Sequence, residues 1–330
     1  MTAMGPSRSS LTRSVTGSSS AGSPPWSPPM IAHGPAGGTS ALPQAPPGRW
    51  RGGRLPPTMG CMDRRRLAVC LATLAEDPFA LDGESLPALL EAAAAAGFDG
   101  VSAWSFHAHA LGPRAACRFT EAGLEVVALE ALVTWGAGDE AAAVEEAAPV
   151  FDLASALGCR VVAAVCLDPV VDEAAAAAGL AAVCRAARPH DIRLAVEFLP
   201  WTGIGDLATA RRIVEAAGEP EAGLCVDTWH LARTATPPAA LADLPAGQMT
   251  YLQLADAAPE PPESLEHEAM HGRLLPGEGT VDFAAVLAAV DATGAAPVTA
   301  AEIFADEVAR QGPSVAARRM YETCRAVLDT

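Results

Sequence analysis

The 330-residue chain contains no lysine and no asparagine; all 22 of its basic residues are arginine. The missing lysine bears on three chemistries at once. A Schiff-base aldolase, a pyridoxal-phosphate enzyme and a Walker-type phosphate loop each need a lysine amine. Cysteine is present but never as a CxxC pair: Cys61, Cys70, Cys117, Cys159, Cys166, Cys184, Cys225 and Cys324 are scattered singly. That spacing argues against a zinc ribbon or a thioredoxin-type motif. With no disulfide framework to read, a reducing, cytoplasmic compartment is expected. Cys166 and Cys225 fall in apolar runs and read as packing. No apolar run approaches the roughly 20 residues of a membrane span, so no membrane partner is expected.

Charge is unevenly placed. The first 66 residues carry eight arginines and one acid, Asp63, whereas the remainder carries fourteen arginines and 38 acids. A body this acidic repels a phosphate backbone, and no nucleic-acid partner is expected. Residues 1–62 are rich in Pro, Gly, Ser and Arg and cannot bury enough apolar surface to offset the entropy of ordering. They read as a disordered extension. Their acid-poor, Arg- and Ser-rich character faintly resembles a transit peptide; the preferred reading is an extension upstream of a start at Met59 or Met62.

The segment "DRRRLAVCLATLA" could serve as a signal peptide or as a first strand, and counting units decides between them. From residue 66 onward apolar runs alternate with helical stretches. The runs are "RLAVCLATL", "DGVSAWS", "EVVALEA", "RVVAAVC", "RLAVEFLP", "AGLCVD", "MTYLQLAD" and "PVTAAEIF". Helices are expected over 85–97 with Ser85 as N-cap, then over 113–122, 139–157, 171–188, 206–217, 237–244, 281–292 and 313–328. Near-continuous apolar strands suit a parallel sheet covered on both faces. Eight such units predict a (β/α)8 TIM barrel over residues 63–330. A doubly wound sheet is the rival, but no Gly-rich phosphate loop follows the first strand.

Active sites of such barrels form at the C-terminal ends of the strands. Four consecutive strands place an oxygen-bearing side chain there: Glu197, Asp227, Gln253 and Glu302, with His230 three residues after Asp227 and Asp256 three after Gln253. Buried carboxylates need a partner, and no lysine is available. One divalent cation is the economical solution. Oxygen donors suit Mg²⁺ or Mn²⁺, and an adjacent imidazole admits Co²⁺, Fe²⁺ or Zn²⁺.

The runs "VEFLP", "GLCVDTWH", "YLQLAD", "RLLPGEGTVDF" and "AEIF", in that order, resemble the sugar-phosphate isomerase/epimerase family, the xylose-isomerase-like TIM barrels. The resemblance covers roughly 67–330 and is strongest over 193–305. It implies one divalent metal (Mn, Mg or Co, with Zn or Fe possible) held by Glu197, Asp227, Gln253 and Glu302. It also implies a substrate contact at Arg273. Many members carry His where this chain has Gln253, which weakens a ketose 3-epimerase assignment and fits some keto-acid isomerases and dehydroshikimate-type dehydratases. The His-rich pattern of the family's DNA-repair branch is missing.

Glu197, Glu302 and His230 are therefore the expected proton-transfer groups, and Arg273, His107 and Trp201 the expected substrate-binding ones. His109 is the alternative to His107. Trp104 and Trp135 could wall a sugar-sized pocket or pack in the core. Asp256 reads as a loop carboxylate, His267 and His271 as surface or lid residues, and Glu278 as a turn residue. The expected activity is a metal-dependent isomerase or epimerase of a small sugar or keto-acid, in which a Glu moves a proton and the metal stabilises an enediolate. The alternative is a metal-dependent dehydratase of an inosose- or dehydroshikimate-like substrate. A non-catalytic sugar-binding barrel ranks below both. A homo-oligomer is compatible with the sequence.

Overall fold

Apolar strands alternate with helices, and the chain folds along that alternation. The computed structural model describes residues 65–112 and 115–330. The extension expected over 1–62 lies outside the described residues. Eight strands, β1 (Ala68–Cys70), β2 (Gly100–Trp104), β3 (Glu125–Leu132), β4 (Val161–Val165), β5 (Arg193–Glu197), β6 (Ala222–Asp227), β7 (Met249–Leu254) and β8 (Val298–Ala301), close in sequence order into a barrel. Every neighbouring pair is parallel, including β1 with β8. The fold is a (β/α)8 TIM barrel. Among the described residues, no helix is long and apolar enough to cross a membrane.

Aspartates start several of the outer helices. Asp139, Asp172, Asp206 and Asp282 each accept a hydrogen bond from a backbone N–H of the first turn, which satisfies donors the helix itself leaves free. Gly158 closes the helix Glu140–Leu157 at φ 71°, a left-handed conformation that favours glycine.

Four local expectations are corrected. The first strand is shorter than "RLAVCLATL": Leu71–Leu74 form a 3-10 turn, where the Thr73 hydroxyl donates to the Cys70 carbonyl at 2.7 Å. Ser85 does not cap its helix with its side chain; that hydroxyl is engaged with Asp82 instead. A helix at Ser105–Ala110 follows β2 directly, and another at Thr228–Arg233 follows β6. The loop carrying His267 and His271 holds a further helix, Leu265–His271, capped by Ser264.

The interior of the barrel is layered by the two-residue period of the strands. One buried layer contains Ala68, Ala128, Ala195, Cys225, Tyr251 and Ala300. Two residues further along each of these chains lie Cys70, Glu130, Glu197, Asp227, Gln253 and Glu302, all buried. The small residues of the lower layer leave room for Tyr251. Its hydroxyl donates to Glu130 Oε1 at 2.9 Å. A layer of one thiol, four carboxylates and an amide thus sits at the strand ends, above an apolar floor.

Candidate active site

That upper layer contains all four of the ligands expected from the sequence. Glu197 ends β5, Asp227 ends β6, Gln253 lies opposite Asp227 on β7, and Glu302 directly follows β8. His230 joins them from the first turn of Thr228–Arg233. Asp227 does two things at once: Oδ1 accepts from the Trp229 backbone N–H at 2.7 Å and so caps this helix, and Oδ2 faces the site. Capping fixes the helix, and the helix places His230. The His230 ring then lies with Nε2 3.1 Å from Glu197 Oε1 and 3.7 Å from Asp227 Oδ2. Donor atoms of Glu197, Asp227 and His230 lie within 4.8 Å of one another.

No lysine is available to these acids, but an arginine is. Arg273, buried, donates from Nη1 to Asp227 Oδ2 at 2.6 Å and lies 3.2 Å from Glu302 Oε2. Its Nη1 also donates to the Glu302 carbonyl and its Nε to the Ala269 carbonyl. The guanidinium is flanked by Trp229 and Phe304, at 5.4 and 5.5 Å from the ring centroids. No strand carries Arg273. A loop does, and it is pinned by pairing Asp256 with Leu274 and Gly272 with Ala305. Burial works against the Arg273 charge, but Asp227, Glu302 and Glu197 outweigh it and hold the group firmly protonated.

Asp256 sits under that loop, as a loop carboxylate should. Its Oδ2 accepts from the Gly277 and Gly279 backbone N–H groups, each at 2.9 Å, and its Oδ1 from Ala257 and Val281. Gly279 must be glycine, since a Cβ there would meet the Ala257 carbonyl oxygen at 2.3 Å. Glu278, in the same turn, reaches Arg319 on the surface.

The remaining expected residues divide into two groups. Trp201 packs against His230 and Trp229 at 5.8 and 6.3 Å, which puts it beside the site. His107 is fully buried and stacks on Trp104 at 5.1 Å, and Trp104 in turn packs on Phe304 beneath Arg273. Burial lowers its pKa from 6.5 to about 4, so the ring is neutral. His109, by contrast, is exposed. Trp135 donates its Nε1 hydrogen to the Val165 carbonyl and belongs to the core. His267 and His271 lie on the surface, where His271 meets Asp306.

Glu130 and Cys70 complete the polar layer and were not singled out from the sequence. The signal for Glu130 was there: a lone acid inside the apolar run "EVVALEALV" of β3. Burial, then the charge of Glu197, raises the Glu130 pKa. Burial, then Glu130, pushes the Glu302 carboxyl well above the usual carboxylate range.

The donor set fits a divalent cation. Carboxylates and an imidazole converge, and two polar atoms of these side chains lack hydrogen-bond partners. They are His230 Nδ1 and Gln253 Nε2, both buried. Gln253 Oε1 accepts from the Cys225 thiol at 3.0 Å. A half-turn of the amide exchanges its oxygen and nitrogen, so the same side chain can offer oxygen to the site.

Residues 90–324 match the family described as xylose isomerase-like TIM barrel. A curated 3-dehydroshikimate dehydratase from Pseudomonas aeruginosa is 32% identical over 232 residues, which are 67% of this chain and 36% of that protein. The chain therefore spans about a third of the length of the curated relatives it matches. Among solved structures, the IolI protein with a bound zinc atom aligns with a TM-score of 0.70 at 20% identity, covering 80% of this chain and 98% of that one. A D-allulose 3-epimerase from Methylomonas sp. aligns with a TM-score of 0.64 at 15% identity, covering 80% and 98%. At these identities the structural likenesses speak for the fold.

Proposed function

The chain belongs to the xylose isomerase-like TIM barrel family, and from that membership we propose that it is a divalent-metal-dependent dehydratase of a small cyclic hydroxy-keto acid of the dehydroshikimate type. The observation that carries this reading is His230. It is a buried imidazole, hydrogen-bonded through Nε2 to Glu197, whose Nδ1 has no protein partner. The curated dehydratase relative supports the same choice.

Glu197, Asp227, Gln253 and Glu302 would hold the ion. The oxygen-rich set suits Mn²⁺, Mg²⁺ or Co²⁺, and Zn²⁺ or Fe²⁺ are also compatible. When bound, the ion supplies Lewis-acid stabilisation to the negative charge that develops on a carbonyl oxygen during proton removal. His230 performs the proton transfer. With its Nε2 hydrogen donated to Glu197, the Nδ1 lone pair accepts the proton from the carbon beside the ketone. The electron pair left behind forms the new carbon–carbon double bond as the hydroxyl on the next carbon departs. Protonated His230 returns its proton to that hydroxyl, and water leaves. Arg273 offers the planar fork that a substrate carboxylate takes. Trp201 and Trp229 shield the imidazole from bulk water.

The second reading is the isomerase or epimerase of a small sugar or keto-acid. Its support is the high pKa direction of Glu302, which suits a carboxyl that gives and takes a proton, together with the epimerase among the structural neighbours. Both reactions begin with the same proton abstraction, and the fate of the neighbouring hydroxyl separates them. Incubation of metal-loaded protein in D2O with 3-dehydroshikimate, inososes and keto-hexoses, read by mass spectrometry, tests this. The dehydratase yields a product lighter by one water. Deuterium in a product otherwise unchanged in mass would move the assignment to the isomerase, and no change in any substrate would remove both.

A further inference from the structure

The polar layer holds more carboxyl groups than one ion can balance. Glu130, Glu197, Asp227 and Glu302 are all buried. Fully ionised they carry four negative charges, against three positive ones from Arg273 and a single divalent cation. The surplus is local to the β1–β3–β8 side. There the Cys70 thiol lies 3.7 Å from Glu130 Oε2, and the donor atoms of Cys70, Glu130 and Glu302 all fall within 4.8 Å of one another. Tetrahedral zinc with bonds of about 2.0–2.3 Å sets its donors roughly 3.3–3.8 Å apart; the Cys70–Glu130 pair already has that spacing, and Glu302 lies within reach of it. A further group points to a ligand. Ser102 lies opposite Cys70 in the β1–β2 register. Its hydroxyl is fully buried and has no hydrogen-bond partner. Tyr251 fixes the other oxygen of Glu130 from below, holding the carboxyl towards the thiol.

We infer that Cys70, Glu130 and Glu302, with the Ser102 hydroxyl beside them, form a second divalent-cation site that shares Glu302 with the first. Its donor set differs from that of the first site in one decisive respect, the sulfur. A thiolate with two carboxylates selects a borderline ion such as Zn²⁺ or Co²⁺ over Mg²⁺. A thiol must lose its proton to ligate, so coordination by Cys70 releases one proton to solvent. Occupied, the site completes the charge balance and fixes Glu302 from the side away from Asp227. Because Glu302 is shared, the inference rests in part on reading that residue as a metal ligand.

The test is a Co²⁺ titration of chelator-stripped protein followed by absorption spectroscopy and elemental analysis. The expected result is two Co²⁺ per chain, the second accompanied by a near-ultraviolet thiolate-to-cobalt charge-transfer band and the uptake of base at constant pH. Cys70→Ser abolishes the band and the second equivalent. Glu130→Gln also loses the second equivalent, and Cys225→Ser, which removes a different buried thiol, leaves the band in place. One Co²⁺ per chain with no thiolate band overturns the second site and leaves the first standing. A band that survives Cys70→Ser overturns the assignment of the sulfur. Failure to bind any Co²⁺ overturns both sites, and with them the proposed function.

Discussion

Arg273 shows how strongly one side chain can depend on what else is bound. It is paired with Asp227 and Glu302 inside the barrel. Removing one partner of a buried ion pair leaves the other charge uncompensated, typically at about 3–5 kcal/mol. Arg273→Ala is therefore expected to lower the thermal midpoint of the metal-free protein by several degrees, and to do so far less once Mn²⁺ is present. Equal losses with and without metal would show that the two positive charges do not serve the same carboxylates.

His107 gives a pH signature at the same scale. Burial holds its pKa at about 4, against 6.5 for the ordinary side chain. Between those values the unfolded chain binds a proton that the folded one does not. Stability therefore falls as pH drops through this window, by up to about 3 kcal/mol from this group, and is unaffected above it. Denaturant melts of wild type and His107→Phe should diverge from neutrality down to pH 4, with the wild type losing more. Parallel curves would mean that the ring is protonated, or paired, inside the fold.

At the scale of elements, strand patterns were legible because a covered parallel strand is nearly all apolar, so that one acid within it stands out. Glu197, Asp227 and Glu302 were found that way. Glu130 carries the same signal on β3, but it stands apart from the four consecutive strands β5 to β8 that end in polar side chains. Cys70 was not legible, since a thiol in an apolar run reads as a small hydrophobe. Only the register of the barrel, in which Ala68 and Ala300 share a layer, puts Cys70 level with Glu302. Nor could the sequence place Arg273 against Asp227, because its position depends on two single bridges in a loop. Short helices such as Ser105–Ala110 and Thr228–Arg233 have too few residues to display a period.

The loop that delivers Arg273 depends in turn on Asp256, which accepts four backbone N–H groups. Asp256→Ala leaves those donors without a partner, each worth about 1–3 kcal/mol where water cannot reach. The variant should show faster amide exchange over residues 274–281 and weaker substrate binding, with its metal content retained. Unchanged exchange in that segment would contradict the pinning role.

For the molecule as a whole, an eight-stranded barrel with an apolar floor and a ring of carboxylates at the strand ends accounts for the oddest feature of the chain. That feature is a strand, "GLCVD", that ends in a buried acid and runs straight into a helix carrying His230. The central claim is that this ring works through a divalent ion on a small hydroxy-keto acid. The most direct measurement is turnover of 3-dehydroshikimate, followed by mass spectrometry, for chelator-stripped protein, for the same protein reloaded with Mn²⁺ or Co²⁺, and for reloaded Glu302→Gln. Loss of one water by the substrate in the reloaded wild type alone is the predicted result. Equal turnover in the stripped and reloaded protein, or none in either, would contradict it.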